Sequence, residues 1–185
     1  MTFKKLTGKL HLWLGLTSGL VVFVVAITGC IYAFEKEIQD FTQPYRHVEA
    51  ENKTFLLPSQ LKVIAEEAFI RENPELKGEE AKRVYYRPEG KSAVALFYGK
   101  GGYYYSVFMN PYSGEVLKVK NMRTSFFTII LYLHFQLLLP HEIGGKIVSY
   151  ATLIFVVMLI SGLVLWWPKN KSASKQRFSI KWSAR

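Results

Sequence analysis

The sequence predicts a membrane α-helical protein in which two transmembrane helices and a short interfacial helix flank one extracytoplasmic α+β domain. Residues 10–34 and 147–167 are apolar and carry no formal charge. Each segment is long enough to cross a hydrocarbon core of about 30 Å. Residues 35–124 between them carry 14 basic and 13 acidic residues, a composition typical of a small folded domain.

The net charge of +10 comes mainly from the two tails. Residues 1–9 carry three lysines and no acid, and residues 168–185 carry six basic residues and no acid. Basic residues beside membrane segments indicate the cytoplasmic side, so we expect both tails in the cytoplasm and residues 35–124 in the periplasm. The folded middle part has no basic excess of this kind, and we therefore expect no nucleic-acid partner.

Cys30 is the only cysteine, which excludes an internal disulfide and a cysteine-rich metal or iron–sulfur site within this chain. Residues 27–30 resemble a lipoprotein-processing box, in which Cys30 would become a lipid-modified N-terminus. The apolar run continues past the cysteine to Phe34, a length that favours a retained transmembrane helix over a cleaved signal.

The first transmembrane helix, residues 10–34, follows the cytoplasmic lead 1–9. His11, Gly15 and Gly19 recur every four residues and therefore share one face of this helix. The small-xxx-small spacing of the glycines allows the backbone to be approached closely, either by another helix or by a flat ligand.

The middle domain is predicted to begin with an irregular segment to Phe55, followed by a helix that opens at Pro58 with Ser59 as its cap and ends at Asn73. Four short strands rich in Val, Tyr and Phe follow, joined by Gly-rich turns. The predicted strands are Arg83–Arg87, Ala93–Tyr98, Tyr103–Met109 and Glu115–Val119. We find no nucleophile–base pair and no phosphate-binding loop of recognised form in the sequence of this domain.

The C-terminal part is predicted to hold an interfacial helix at residues 125–140, a second transmembrane helix at 146–167 and a tail, 168–185, on the inner membrane face. The apolar run 126–139 is 14 residues long, too short to span alone, and it ends at Pro140. His134 lies within this run. A histidine in an apolar helix at membrane depth is costly without a partner, so it indicates a functional site.

Three groups of residues resemble the PepSY-associated transmembrane (PepSY_TM) family of bacterial inner-membrane proteins, and together they cover nearly the whole chain. They are residues 11–16 with Thr28-Gly29; residues 110–116, which look like the closing turn of a PepSY domain; and Leu133-His134 with residues 137–139, 145–148, 161–163 and 165–168. The resemblance implies that residues 35–124 form a PepSY-like periplasmic domain.

Some members of the family are implicated in iron uptake as reductases of ferric siderophores, with b-type haems held by paired histidines. The resemblance thus makes His11 a candidate haem-iron ligand near the cytoplasmic face and His134 one near the periplasmic face. Gly15 and Gly19 would leave room for the porphyrin. His47 and His141 match no motif of the family.

His11 and His134 are expected to lie about 25 Å or more apart, because they belong to opposite membrane faces and a helix rises 1.5 Å per residue. They therefore cannot share one iron. Similar reductases continue beyond this length with further crossings, so the chain is either the N-terminal half of a reductase, a short relative that self-associates, or a relative without haem. A second axial ligand would come from another membrane helix or from a non-histidine group.

Two readings without redox chemistry also fit the sequence. In one, the chain is a non-enzymatic, membrane-anchored periplasmic PepSY module that binds or regulates a partner protein. In the other, it is an assembly subunit whose small-residue helix face packs on a larger membrane complex.

Overall fold

A computed structural model describes residues 3–168 of the 185-residue chain, with side chains described from Lys5 onward. The chain divides into two compact units, one formed by Met1–Thr28 with Leu133–Arg185 and the other by Gly29–Tyr132. The predicted basic tail lies outside the described residues, apart from Pro168.

Two helices are long and apolar enough to cross a membrane: α1 (Phe3–Ala33) and α5 (His141–Trp166). The mean hydropathy of their most apolar windows is 2.3 and 2.5, and only 11% and 6% of those windows is buried. A core helix of a soluble protein would be largely covered, so these exposed apolar surfaces fit a lipid bilayer. The predicted membrane protein with an α+β domain is confirmed.

The link between α4 (Phe126–Gln136) and α5 is a sharp backbone reversal. Leu137 and Leu138 have φ values of 54° and 59°, in the left-handed region that residues other than glycine rarely adopt. Pro140 precedes α5, which begins at residue 141, whereas the sequence predicted a start at 146. A Cβ atom on Gly144 would lie 1.9 Å from the Gln136 carbonyl oxygen, so the reversal requires glycine there.

We expect Gly144→Ala to destabilise the protein in detergent by about 1–3 kcal/mol, because the added methyl group overlaps backbone atoms that cannot move aside cheaply. Gly145→Ala is the matched control, since its added Cβ would lie 3.6 Å from the nearest atom, in the His141 ring. Thermal unfolding of both variants measures the difference. Equal stability of the two variants would contradict the close approach at Gly144.

The second unit contains α3 (Pro58–Glu72) and a four-stranded antiparallel sheet in the order β1-β2-β3-β4, as the sequence predicted. The strands are β1 (Arg83–Tyr85), β2 (Ala93–Tyr98), β3 (Tyr104–Met109) and β4 (Val116–Asn121). Alternate residues of β2 and β3 form a core with one face of α3, in which the rings of Phe69 and Phe97 stack with centroids 4.1 Å apart.

Two local expectations were wrong. Ser59 does not cap α3: the helix begins at Pro58, and the backbone N–H of Leu57 donates to the Gln60 side chain at 2.9 Å. The segment before it is not irregular throughout, because α2 (Glu35–Thr42) and a single 3-10 turn (Pro44–Arg46) precede the extended stretch. Two acidic residues in the first turn of α2 favour that helix through its dipole.

Asp40 of α2 links its own segment to the sheet. Its carboxylate accepts hydrogen bonds from Arg46 Nε at 3.0 Å and Lys91 Nζ at 2.9 Å, and Arg87 Nη2 lies 3.7 Å away. The hydrogen bond from Lys91 is the largest cause that lowers the pKa of Asp40, from 3.8 to about 2. Because the folded-state pKa lies below the ordinary value, the carboxylate stabilises the fold above pH 3.8, and this stabilisation is lost as the pH falls toward 2.

We expect Asp40→Asn to lower the free energy of unfolding at pH 7 by about 1–2 kcal/mol. The difference from wild type should shrink as the pH falls below 3.8 toward 2, where the wild-type carboxyl also becomes protonated. Denaturant unfolding at pH 7 and pH 3 measures both effects. Glu80→Gln is the control, because the Glu80 side chain is 69% exposed and its ion pair with Lys62 is screened by water. If Glu80→Gln lost as much free energy of unfolding as Asp40→Asn, the stabilising role of the Asp40 carboxylate would be contradicted.

Candidate functional site

His134 of α4 is held by two oxygen atoms of α1. Its Nδ1 lies 3.0 Å from the Val25 carbonyl oxygen and 3.1 Å from Thr28 Oγ1. The Thr28 hydroxyl in turn lies 2.7 Å from the carbonyl oxygen of Val24, to which it donates. A carbonyl oxygen can only accept, so Nδ1 of His134 carries the proton. In the neutral imidazole the lone pair is therefore on Nε2.

His11 of α1 has the same arrangement with α5. Its Nδ1 lies 2.8 Å from Ser161 Oγ, and the Ser161 hydroxyl lies 3.0 Å from the Met158 carbonyl oxygen. The serine has one proton. When it donates that proton to the carbonyl, its oxygen accepts the N–H of His11 and the lone pair of the neutral ring is on Nε2, as at His134. When it donates to Nδ1 instead, the ring proton is on Nε2.

The two histidine sites share one arrangement, in which the Nδ1 atom of a histidine lies within hydrogen-bond distance of a hydroxyl on another helix. Within residues 3–168, neither His11 nor His134 makes a hydrogen bond through Nε2. A neutral imidazole that donates through one nitrogen and leaves the other bare is the usual state of a histidine that binds a metal.

A groove of about 500 Å³ adjoins His11, a volume within the range of small-molecule sites. Its lining is almost entirely apolar apart from the histidine: His11, Phe155, Met158, Leu159, Gly162, Leu163 and Trp166. A Cβ atom on Gly162 would lie 3.4 Å from His11 Cε1, an ordinary van der Waals distance, so Gly162 lies directly beside the imidazole ring.

The two predicted glycines of α1 differ in their surroundings. A Cβ atom on Gly15 would lie 3.0 Å from Met158 Cε, so the methionine side chain uses the space that this glycine leaves. A Cβ atom on Gly19 would meet no atom within 4 Å. That the two glycines make room for a porphyrin stays a prediction.

The other two histidines have different environments. His47 lies in the second unit, where its Nε2 is 2.9 Å from the Asp40 carbonyl oxygen and 3.3 Å from Lys91 Nζ. His141 lies in the first turn of α5 and lines a groove that also contains Glu142 and Lys146. In the part of the chain that the structure describes, no three His, Cys, Asp or Glu side chains are grouped to hold a metal ion.

The two histidine sites lie far apart along α1. Thr28, which contacts His134, follows His11 by 17 residues, which corresponds to about 25 Å of helix. The sites therefore belong to opposite ends of a membrane-length helix.

Sequence reasoning missed the residues that contact the two rings: Thr28, Ser161 and the Val25 carbonyl, together with Gly162, which lies beside the His11 ring. One signal was present: each hydroxyl residue is followed by glycine within an apolar segment, as Thr28-Gly29 and Ser161-Gly162. These pairs contributed to the family resemblance, but nothing in the sequence indicated that they contact histidines.

A comparison with curated proteins found no match to this chain. The family described as "PepSY-associated TM region" matches residues 9–185, a range that includes α5, all but the first residues of α1 and the whole α+β domain. The protein therefore belongs to the PepSY-associated TM family.

Proposed function

We propose that this membrane PepSY protein binds haem b and transfers electrons across the bacterial inner membrane, in support of iron uptake. Its substrate in this proposal is a ferric siderophore or another ferric chelate in the periplasm. The observation that carries the proposal is the pair of oriented imidazoles, His11 and His134, each with a bare Nε2, at the two ends of a membrane-length helix.

The residues around His11 fit a haem, since an imidazole Nε2 can bind haem iron and the groove beside His11 offers apolar walls. At His134 the support is the oriented imidazole alone. A b-type haem held by these imidazoles would supply one-electron transfer.

The hydroxyl and carbonyl partners have a defined role in this proposal. By accepting Nδ1–H, Ser161 and the Val25 carbonyl fix the orientation of each ring and increase the basicity of its Nε2. Thr28, the α1 contact of His134, lies about 25 Å along α1 from His11, so the two histidines serve separate sites in this proposal. A second iron ligand at each site would come from another membrane helix, either in a second copy of the chain or in the other half of a longer reductase.

The proposed direction of electron transfer is outward. The lysines of residues 1–9 and the six basic residues of 168–185 support cytoplasmic termini and a periplasmic location for residues 35–124. His11 then serves the cytoplasmic side and His134 the periplasmic side. One electron per iron would come from a donor outside this chain, such as a membrane quinol. Reduction of Fe(III) to Fe(II) would then weaken the binding of the iron by hard oxygen donors and so release it from a chelate.

The first test is the visible spectrum of the full chain, expressed with a supply of haem and purified in detergent, before and after reduction by dithionite. We expect a sharp reduced α band and a shifted Soret band. His11→Ala and His134→Ala should each remove part of the haem, because each deletes one Nε2 ligand, whereas the controls His47→Ala and His141→Ala should retain all of it.

A colourless, folded and monodisperse protein that takes up no added haem would contradict the proposal. That result would favour the non-enzymatic alternative, a membrane-anchored PepSY module that binds or regulates a partner protein.

The hydroxyl partners provide a second test. We expect Ser161→Ala to weaken haem binding at His11 by about 10–100-fold, because that ring loses the acceptor that orients it. Thr28→Val should weaken binding at His134 by less, because the Val25 carbonyl still accepts Nδ1–H. Haem titration of the apoprotein measures affinity, and a redox titration reports the change in potential of the affected site.

Each variant has a matched control on the same helix. Thr17 and Ser149 are exposed, and their hydroxyls also donate to backbone carbonyls of their own helices, but neither makes a hydrogen bond to a histidine. Thr17→Val and Ser149→Ala should leave affinity and potential unchanged. Equal losses in the control variants would show that the hydroxyls act on the helices and not on the histidines.

A further inference from the structure

Two polar side-chain atoms of the described residues are buried without a hydrogen-bond partner, Arg87 Nη1 and Ser92 Oγ. Both belong to the second unit, and Ser92 is fully buried. Buried polar groups are nearly always paired, because an unpaired one keeps the cost of losing its water. Each of these atoms therefore indicates a partner other than the protein's own side chains.

Arg87 belongs to a group of charges, and the backbone of Ser92 is bonded to another member of that group. We define the Asp40 cluster as Asp40, Arg46, Arg87 and Lys91, in which the three cations surround the one carboxylate. Arg87 belongs to it directly, through the 3.7 Å approach of its Nη2 to Asp40. Ser92 follows Lys91 in sequence, and its backbone N–H donates to the Arg46 carbonyl oxygen at 3.1 Å.

The Asp40 cluster has an excess of two positive charges, three cations minus one carboxylate. Asp40 is the only acidic residue among the described ion pairs of these cations. Its two oxygens accept from Arg46 and Lys91, whereas Arg87 Nη2, at 3.7 Å, has an ion pair with Asp40 but no hydrogen bond to it. Burial, followed by repulsion from Arg46, lowers the pKa of Arg87, which indicates a guanidinium whose charge is incompletely compensated.

The Asp40 cluster is sheltered but not sealed. The side chains of Arg46, Arg87 and Lys91 are 14%, 15% and 22% exposed. A buried water molecule would satisfy Arg87 Nη1 and Ser92 Oγ but would leave the excess charge. An oxyanion supplies acceptor oxygens and negative charge together, and the guanidinium fork matches phosphate and carboxylate geometry.

We propose that the Asp40 cluster is a binding site for an oxyanion, a phosphate or carboxylate group that pairs with Arg87 and Ser92 and compensates the excess charge. The group belongs either to a soluble anion or to a lipid headgroup, since α2, which carries Asp40, begins two residues after the last residue of α1. The oxyanion site does not depend on haem, so its test can fail or succeed independently of the electron-transfer proposal.

The test uses the full chain in an uncharged detergent, free of phosphate and at constant ionic strength. Inorganic phosphate and glycerol phosphate are titrated by calorimetry and by the shift in thermal unfolding midpoint. Phosphatidylglycerol is then compared with diacylglycerol, which has no phosphate. A saturable response to the two soluble phosphates identifies a soluble anion, and a response to phosphatidylglycerol alone identifies a lipid headgroup. Either response supports the site.

Arg87→Gln should weaken the binding of the responding probe about tenfold or more, because it removes a buried charged partner. Lys118→Gln is the control: Lys118 is an exposed cation on β4, and its loss should leave affinity unchanged. Ser92→Ala, which alters no charge, provides a second variant if Arg87→Gln does not fold, and it should also weaken binding. Absence of saturable binding to wild type, or equal binding by wild type and the folded variants at positions 87 and 92, would overturn the proposal.

Discussion

An N–H group of a histidine within an apolar helix pair must have an acceptor, and this requirement organises the first unit. In an apolar membrane environment, water does not accept the hydrogen bond from Nδ1–H, so an oxygen atom of a neighbouring helix must accept it. α1 provides the Val25 carbonyl and Thr28 for His134, and α5 provides Ser161 for His11. These contacts hold α4 and α5 beside α1 in one register, because the acceptors cannot shift along the helix without leaving the ring unpaired.

The position of His134 depends further on the reversal after α4. Two leucines in the left-handed region and the close approach of Gly144 to the Gln136 carbonyl turn the chain within four residues. The last turn of α4 is thereby fixed against the start of α5, and His134, which belongs to that turn, is fixed with it. The strain of the leucines is thus located next to the candidate site, where such strain is often found.

The sequence predicted what depends on local pattern. Uncharged length indicated α1 and α5, and alternation with Gly-rich turns indicated the sheet and its order. The sequence did not predict α2. Three charged residues at the start of this helix made the segment read as polar, although Phe34, Ile38 and Phe41 follow helical spacing. The histidines were recognisable from their apolar setting, but their hydroxyl partners were not, since these contacts join residues 106 and 150 positions apart.

Those long separations have a consequence for biogenesis. When α1 enters the membrane, His11 lacks its acceptor, because Ser161 is synthesised 150 residues later. The same holds for Thr28, which awaits His134 until the whole α+β domain has been made. The His134 pair is complete once α4 has been made, and the His11 pair only once α5 has been made. Under the proposed function, haem would therefore enter the His11 site after translation of α5 and not into the emerging chain.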